Sequence, residues 1–168
     1  IYKDKKKSKF TLLKKDKILC AKFRKGHFEG VLDVMSKLTK IINPQKIFMG
    51  EKDFQQLYLV KKELEKKYKT KVIPCKTIRD KDNVALSSRN LLLNKSNLTI
   101  AAKIYETLVD IKKNTKNKKD IPSFLNLKKK ELKNNYKIKI DYLELRNINN
   151  LKISNTKKNS RLFIAYYL

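Results

Sequence analysis

Apolar residues in the first half of the chain follow a helical period and then form short runs. In residues 28–42 they recur every three or four positions, which predicts an amphipathic helix that ends before Pro44. Apolar runs at 46–49 and 71–75 predict buried strands, and the pattern between them predicts a helix over 54–68. A strand, a helix and a strand in this order imply a parallel pair with a right-handed crossover. This helix is expected to bury one face, made of Leu57, Val60 and Leu64.

The second half begins with a polar, turn-like segment, residues 76–94, which we expect to be a mobile loop and a domain boundary. Ser96 is placed to cap a helix that continues to about residue 114. The buried stripe of this helix is expected to be Ile100, Ile104, Leu108 and Ile111. The elements expected after it are a lysine-rich linker at 112–119, a helix near 121–135, and half-buried strands at 138–145 and 162–168. These elements predict a small α+β domain.

The length of 168 residues suits one medium domain or two small ones, and the 40% hydrophobic content supports a core. We predict two domains, residues 1–77 and 78–168. Residues 1–25 are rich in lysine, and we expect an irregular or hairpin-like segment there. Because the first residue is Ile1 rather than Met, we expect a piece of a longer protein. No apolar run is long enough to cross a bilayer, so no membrane association is expected.

Cysteine and histidine are scarce in this chain. The two cysteines, Cys20 and Cys75, are too few for a disulfide framework, so we expect reduced thiols in a cytoplasmic protein, with Cys75 packed at the end of an apolar run. His27 is the single histidine, and no cysteine lies near it in sequence. We therefore predict no metal site and a structural role for His27.

The formal net charge of +27 raises the possibility of a nucleic-acid partner. The basic residues are almost all lysine, however, with only five arginines, and they are scattered over every predicted element. Arginine is the side chain preferred for bidentate contacts with phosphates and bases. We expect no specific nucleic-acid binding; the expected interaction is a weak, salt-sensitive and incidental association with polyanions. A basic nucleic-acid-binding module is the alternative function.

A strand-to-helix turn is the first candidate for chemistry. Residues 50–56 read Gly-Glu-Lys-Asp-Phe-Gln-Gln and follow the strand predicted at 46–49. Ligands of open α/β sheets bind at the carboxyl ends of strands, and a helix start offers free N–H groups to an anion. Gly50 lets a ligand approach the backbone, Lys52 supplies a cation, and Asp53 can cap the helix. The pattern predicts a phosphate and polar-substrate site.

Ser87, Ser88 and Arg89 form a second candidate on the predicted loop. Two hydroxyls and a guanidinium match the hydrogen-bonding needs of a polyphosphate. Together with Lys52 they would make a two-sided phosphate clamp, which supports phosphoryl or nucleotidyl transfer by stabilising developing charge. With three glycines in the whole chain, neither a P-loop nor a G-x-G-x-x-G motif is present.

Three motifs together resemble the pantothenate synthetases, also called pantoate–β-alanine ligases. They are Arg-Lys-Gly-His-Phe-Glu-Gly-Val at 24–31, Gly-Glu-Lys-Asp-Phe-Gln-Gln at 50–56, and Leu-Ser-Ser-Arg-Asn at 86–90. The resemblance implies an α/β fold: a partial Rossmann-like nucleotidyltransferase domain followed by a small α+β domain. It also implies an ATP-dependent ligase of pantothenate and coenzyme A biosynthesis. In such an enzyme pantoate and ATP form pantoyl adenylate, and β-alanine then displaces AMP.

The resemblance also implies roles for individual residues. Lys52, Ser87, Ser88 and Arg89 would be catalytic. The ATP-binding set would be Gly50, Glu51, Lys52, Asp53, Ile78, Leu86, Ser87, Ser88 and Arg89, with Ile78 at the adenine. The pantoate-binding set would be Gln56, Val31, Val34 and Met35. The implied substrates are ATP with Mg²⁺, pantoate and β-alanine, and the implied assembly is a homodimer.

The chain also departs from the family pattern. The phosphate-binding His-x-Gly-His motif of the family's first half is not present in these 168 residues. We therefore expect that this chain alone is inactive or nearly so. Lys25 stands where a proline is usual, and Asn83 stands where a glycine is usual. The second change is mild, because asparagine tolerates left-handed backbone better than most residues.

Overall fold

A computed structural model describes residues 8–115 and 118–168. The chain divides into two compact units, Ile1–Ile78 and Arg79–Leu168. The boundary predicted from the sequence lies one residue earlier. Among the described residues, no helix is long and apolar enough to span a membrane.

The first unit is a parallel β-α-β arrangement with a long helix before it. Its elements are α1 (Cys20–Phe23), α2 (His27–Ile42), β1 (Lys46–Gly50), α3 (Phe54–Lys67) and β2 (Lys71–Cys75). The helix and both strands expected over 46–75 are therefore confirmed, as is the parallel pairing of β1 with β2. Helix α2 begins after Gly26, whose φ of 77° is strained for any residue with a Cβ. It ends at Asn43, which is also left-handed and donates its N–H to the Thr39 carbonyl.

The core of the first unit lies on one face of the two-stranded sheet. Leu64 and Val60 of α3 are completely buried, and Val72 of β2 is 1% exposed. Phe28 and Leu32 of α2 belong to the same buried cluster. The face predicted for α3 is confirmed, because each of its three predicted residues is at most 4% exposed.

The hairpin-like alternative for residues 1–25 was wrong over the described part, 8–25. This segment contains a 3-10 turn, Lys14–Asp16, and the single helical turn α1, with no strand among residues 8–25. The buried side chain of Asp16 accepts a 2.8 Å hydrogen bond from Lys62 Nζ on α3. Irregular backbone persists here because side chains of α3 hold it in place.

The second unit is an α+β arrangement. Its elements are α4 (Lys95–Asn114), α5 (Ile121–Tyr136), β3 (Lys139–Asn147) and β4 (Ser160–Tyr167). The two strands pair antiparallel, with a register irregularity between Ile140 and Tyr142. Ile104 of α4 is fully buried, and it clusters with α5 residues such as Leu132 and β3 residues such as Leu143.

Two details of α4 differ from the prediction. The cap is Asn94, whose side chain accepts a 2.8 Å hydrogen bond from Asn97 N, whereas Ser96 already lies inside the helix. Asparagine and serine cap equally well, so composition could not distinguish them. The predicted linker at 112–119 was wrong for residues 112–114, which form the last turn of α4, and residues 116–117 lie outside the described part. Ile111 is 2% exposed, and its burial favours continued helix despite the surrounding lysines.

Candidate active site

The turn after β1 is a 3-10 helix, Glu51–Asp53, that leads directly into α3. Lys52 and Asp53 are exposed, and Glu51 is half-buried. A Cβ added at Gly50 would meet no atom within 4 Å, so the backbone there faces open space. The prediction that the Asp53 side chain caps α3 was wrong. Asp53 occupies the N-cap position with φ −96° and ψ 57°, rather than the extended conformation in which a cap side chain reaches the helix N–H groups.

The adjacent glutamines that follow this turn have different environments. Gln55 is 5% exposed, and its side-chain amide forms hydrogen bonds with three backbone groups of the first unit. Its amide Nε2 donates to the carbonyls of Asp16, at 3.2 Å, and Ile18, at 2.8 Å, and its Oε1 accepts from Ala21 N at 3.4 Å. Gln56 instead is half-buried and lines an open groove. The structure thus assigns Gln55 to holding residues 16–21, and it leaves Gln56 facing a space that a ligand can occupy.

The groove has a volume of about 640 Å³ and lies within the first unit. All four residues predicted to bind pantoate line it: Val31, Val34, Met35 and Gln56. The two valines and the methionine lie on one side of α2, and Gln56 projects from the first turn of α3. Helices α2 and α3 belong to one buried cluster, so the groove walls are fixed by core packing. The groove therefore presents an apolar surface opposite an amide. This arrangement suits a small ligand that carries both apolar and polar groups.

The sequence prediction missed several residues that also line the groove: Ser8, Gly26, His27, Gly30 and Asp33. Gly30 lies inside α2, where glycine costs about 1 kcal/mol relative to alanine. A Cβ at Gly30 would meet nothing within 4 Å, so the unit's own packing does not require glycine there. An unexplained glycine inside a helix is the signal that could have identified this position. Asp33 is buried and forms an ion pair with Lys37 at 3.1 Å.

His27 lies at the start of α2, beside the groove. Its Nδ1 is 3.2 Å from Nη2 of Arg24, and because a guanidinium can only donate, Nδ1 is the acceptor. The ring meets Phe28 edge-on, with centroids 5.0 Å apart. Burial lowers the pKa of His27 below its usual value of 6.5, and Arg24 lowers this pKa further, whereas the carboxylate of Asp53 opposes the shift. His27 is therefore neutral near pH 7, and it is coupled electrostatically to the turn that bears Lys52.

The serine–arginine segment lies in the second unit. Ser87 precedes a 3-10 helix, Ser88–Leu92, and its hydroxyl accepts from Arg89 N at 3.3 Å. Leu86, Ser88 and Arg89 are exposed, and Ser87 is half-buried. Asn90 donates its side-chain amide to the Ala85 carbonyl at 3.0 Å, so it holds the turn.

Residues 79–85, which precede that segment, form a turn that is held by hydrogen bonds among its own residues. Arg79 and Ala85 make an isolated antiparallel bridge, and Asp80 Oδ1 accepts from Asp82 N at 3.0 Å and Val84 N at 2.9 Å. Asn83 has φ 63°, which is the left-handed backbone expected where the family usually has glycine. The loop is thus a series of hydrogen-bonded turns, and its mobility stays a prediction.

The Arg79 side chain fastens this turn to α4. Its guanidinium carbon lies 3.9 Å from the centroid of the Tyr105 ring, a close cation–π contact. Its Nη1 donates to the Asn83 carbonyl at 2.9 Å. Burial raises the pKa of Tyr166, whereas Arg79 acts to lower it, so the guanidinium also lies within electrostatic reach of β4.

The predicted site residues therefore fall into groups that belong to different units. Residues 50–53 and the groove residues lie in the first unit, and residues 86–89 lie in the second. Ile78, predicted to touch adenine, is the last residue of the first unit and is 66% exposed. Within residues 8–115 and 118–168, no group of three or more histidine, cysteine or acidic side chains could hold a metal ion. Cys20 and Cys75 are both half-buried thiols.

Comparison with known proteins gives one consistent family. A family model described as pantoate-beta-alanine ligase matches residues 1–168. The pantothenate synthetase of Flavobacterium psychrophilum is 38% identical over 153 residues, which are 88% of this chain and 53% of that protein. The pantothenate synthetase of Christiangramia forsetii is 35% identical over 158 residues, which are 90% of this chain and 55% of that protein.

Solved structures agree with these sequence matches. The pantothenate synthetase of Thermus thermophilus matches with a TM-score of 0.81 and 26% identity, over 91% of this chain and 56% of that one. The pantoate-beta-alanine ligase of Francisella tularensis, complexed with beta-gamma ATP and beta-alanine, matches with a TM-score of 0.68 and 32% identity, over 94% of this chain and 52% of that one. This chain spans about half the length of the relatives that it matches.

Proposed function

Since the chain belongs to the pantoate–β-alanine ligase family, we propose that it takes part in the ATP-dependent condensation of pantoate with β-alanine to pantothenate, with release of AMP and pyrophosphate. The family resemblance inferred from the three motifs is confirmed. The observation that best supports the reaction is the groove, in which the four predicted pantoate-binding residues converge beside the start of α3.

We propose that the groove binds pantoate. Val31, Val34 and Met35 would contact its two methyl groups, because an apolar wall gains about 25 cal/mol for each Å² of apolar surface removed from water. The Gln56 amide has both donor and acceptor groups for the hydroxyl or carboxylate of pantoate. The neighbouring glutamine cannot substitute for it, since the hydrogen bonds of Gln55 to residues 16–21 already occupy its amide.

Residues 50–53 would bind the phosphates of ATP. The open space at Gly50 allows phosphate to approach the backbone, and Lys52 would neutralise charge on the phosphates. Ile78 would contact the adenine. Residues 86–89 would close over the nucleotide, with the hydroxyls of Ser87 and Ser88 and the guanidinium of Arg89 as donors to phosphate oxygens.

The proposed reaction has two steps. The pantoate carboxylate attacks the α-phosphorus of ATP, the bond to the β-phosphate oxygen breaks, and pyrophosphate leaves. The amine of β-alanine then attacks the acyl carbon of pantoyl adenylate, loses a proton and expels AMP. Both steps need charge neutralisation and exclusion of water more than they need a protein acid or base. This requirement fits a site built from Lys52 and Arg89.

We propose that magnesium enters with ATP as its phosphate complex, since magnesium commonly relies on substrate phosphates for its ligands. We also propose a cytoplasmic homodimer. Because the chain spans about half the length of its relatives, we propose that the 168 residues alone give little or no turnover. The remaining groups of the site would come from the part of the relatives that this chain does not match.

The experiment joins this chain to the unmatched part of the Flavobacterium psychrophilum enzyme and measures pantothenate formed from ATP, pantoate and β-alanine. Replacement of Lys52 by alanine should lower kcat roughly 100- to 1,000-fold, the range found when a donor to developing charge is removed. A folded joined protein that forms no pantothenate would contradict the proposal.

A matched pair of variants tests the groove. Gln56→Ala should raise KM for pantoate roughly 10- to 100-fold, because a polar group of the ligand loses its partner, and should leave stability unchanged. Gln55→Ala should instead lower the stability of the first unit by about 1 to 3 kcal/mol, since it leaves buried backbone groups unsatisfied. If Gln55→Ala changes KM for pantoate and Gln56→Ala does not, the assignment of the two glutamines is wrong.

A further inference from the structure

The turn at residues 79–85 ends at Ala85, which leads directly into the serine–arginine segment, residues 86–89. Ala85 makes the antiparallel bridge with Arg79. The carbonyl of Ala85 also accepts the side-chain amide of Asn90 at 3.0 Å. Because Ala85 precedes the segment and Asn90 follows it, both ends of residues 86–89 are tied to this turn. The place of the turn on the second unit therefore decides where the segment lies.

The hydrogen bonds within the turn fix its shape but not its place. The carboxylate of Asp80 accepts from the N–H groups of Asp82 and Val84, which belong to the same turn. Val84 is 8% exposed, and burial of its apolar surface attracts the turn to the unit without a preferred direction. Arg79 supplies a directional contact with another element. Its guanidinium carbon lies 3.9 Å from the centroid of the Tyr105 ring on α4.

Tyr105 is a firm support for this contact. It is half-buried, and Ile104, the residue before it on α4, is fully buried in the core of the second unit. Tyr166 of β4 packs against the same core and lies within electrostatic reach of Arg79. The guanidinium therefore lies beside two elements whose positions the core fixes. Arg79 is exposed, so its side chain is held by the Tyr105 ring and by the Asn83 carbonyl, 2.9 Å from Nη1, rather than by burial.

An arginine can make both contacts at once, because its planar guanidinium stacks on a ring while an N–H at its edge donates to a carbonyl. We propose that Arg79 is a positioning residue, which holds residues 86–89 at the place from which they reach the nucleotide. Ile78, which would contact adenine, directly precedes Arg79, so this anchor lies in the chain between two stretches proposed to bind ATP. The effect on catalysis rests on the proposed function, whereas the anchoring does not.

Amide exchange of residues 82–90 in the 168-residue chain tests the anchoring without turnover. Arg79→Gln removes the guanidinium and Tyr105→Leu removes the ring. Each should raise exchange roughly two- to fivefold, since an exposed cation–π contact is weak. The double variant should exchange no faster than either single variant, because both changes remove the same contact. Exchange of the helix around Ile104 should stay unchanged, which would show that the variants still fold.

Two matched controls accompany these variants. Tyr105→Phe keeps the ring and should behave like the wild type. Lys81→Gln removes the same charge from an exposed position of the same turn, and it should leave the exchange of residues 82–90 unchanged.

The joined protein tests the positioning. Arg79→Gln and Tyr105→Leu should each lower kcat roughly 10-fold, since a misplacement of about 1 Å can cost on the order of 100-fold. KM for pantoate should not change, because the groove lies in the first unit. Tyr105→Phe should retain the wild-type kcat, so the ring rather than the hydroxyl would be responsible.

Two results would overturn the proposal. If Arg79→Gln raises exchange no more than Lys81→Gln does, the guanidinium does not anchor the turn. If Arg79→Gln raises KM for ATP and Tyr105→Leu has no effect, the guanidinium contacts the nucleotide directly and does not act through residues 86–89. A joined protein with native Arg79 that forms no pantothenate contradicts the proposed function instead, and the exchange measurements still decide the anchoring.

Discussion

The groove of the first unit is lined by side chains from helices α2 and α3, whereas the serine–arginine segment of the second unit is a series of turns held by local hydrogen bonds. The groove residues are anchored by a core in which Leu64 and Val60 are fully buried. Ser88 and Arg89 are exposed. The turn that restrains them is held by hydrogen bonds between residues that lie two and five positions apart in the sequence.

This difference indicates two kinds of preorganisation. A groove between packed helices keeps its shape as long as the core is intact, so it suits the recognition of a ligand by shape. A turn held by a few exposed hydrogen bonds opens at low cost, so it suits a segment that must close over a ligand and release it. The first region should therefore respond to core mutations, and the second to the loss of single polar groups.

The largest effect is expected from core truncation. Leu64→Ala should destabilise the first unit by about 2 to 5 kcal/mol, because Leu64 is fully buried and alanine leaves a cavity. Ile104→Ala should do the same to the second unit, where Ile104 is equally buried. Hydrogen exchange read by mass spectrometry assigns the loss of protection to either unit. If each variant weakens both units equally, the two units do not fold as separate structures.

The loop should depend on one carboxylate. Asp80→Ala removes the acceptor for the N–H groups of Asp82 and Val84, and we expect a loss of about 1 to 2 kcal/mol in local opening energy. Asp80→Asn is the matched control, since its amide oxygen can still accept both bonds. Amide exchange of residues 82–85 measures the effect. Equal exchange in the two variants would mean that the turn does not depend on this acceptor.

A smaller effect of opposite sign is expected in the groove. Gly30→Ala should stabilise the first unit by about 0.5 to 1 kcal/mol, because alanine is the better helix former and its Cβ enters open space. The same methyl narrows the groove, so pantoate binding by the joined protein should weaken. Thermal unfolding and KM for pantoate measure the two effects. A Gly30→Ala protein with a lower Tm would show that this glycine is needed for folding.

The smallest effect concerns pH. The pKa of His27 is lower in the folded chain than its ordinary value of 6.5, so the unfolded chain binds more protons below that pH. The contribution of His27 to the free energy of unfolding is therefore full above pH 6.5 and is lost as the pH falls below it. Urea unfolding of wild type and His27→Gln at pH 7.5 and 5.5 measures this contribution. The difference between the two proteins should shrink or reverse at the lower pH.

The pattern of apolar residues predicted the main helices and strands, because each is long or periodic enough for local signals to dominate. It could not predict that Asn94 caps α4 rather than Ser96, since both residues cap well and the choice depends on where the backbone enters the helix. His27 was expected to be structural; it lines the groove, and its role stays a prediction. Absence of specific nucleic-acid binding, despite the charge of +27, stays a prediction.

The sequence by itself determined the family and the parallel strand-helix-strand order, because motif spacing and apolar period are local properties of the chain. Only the tertiary structure decided which of two neighbouring residues lines the groove. Gln55 and Gln56 are identical in type, yet a rotation of about 100° along α3 buries one against residues 16–21 and leaves the other in the groove. The same reasoning applies to β1, where alternation packs Met49 against the buried cluster and leaves Phe48 67% exposed.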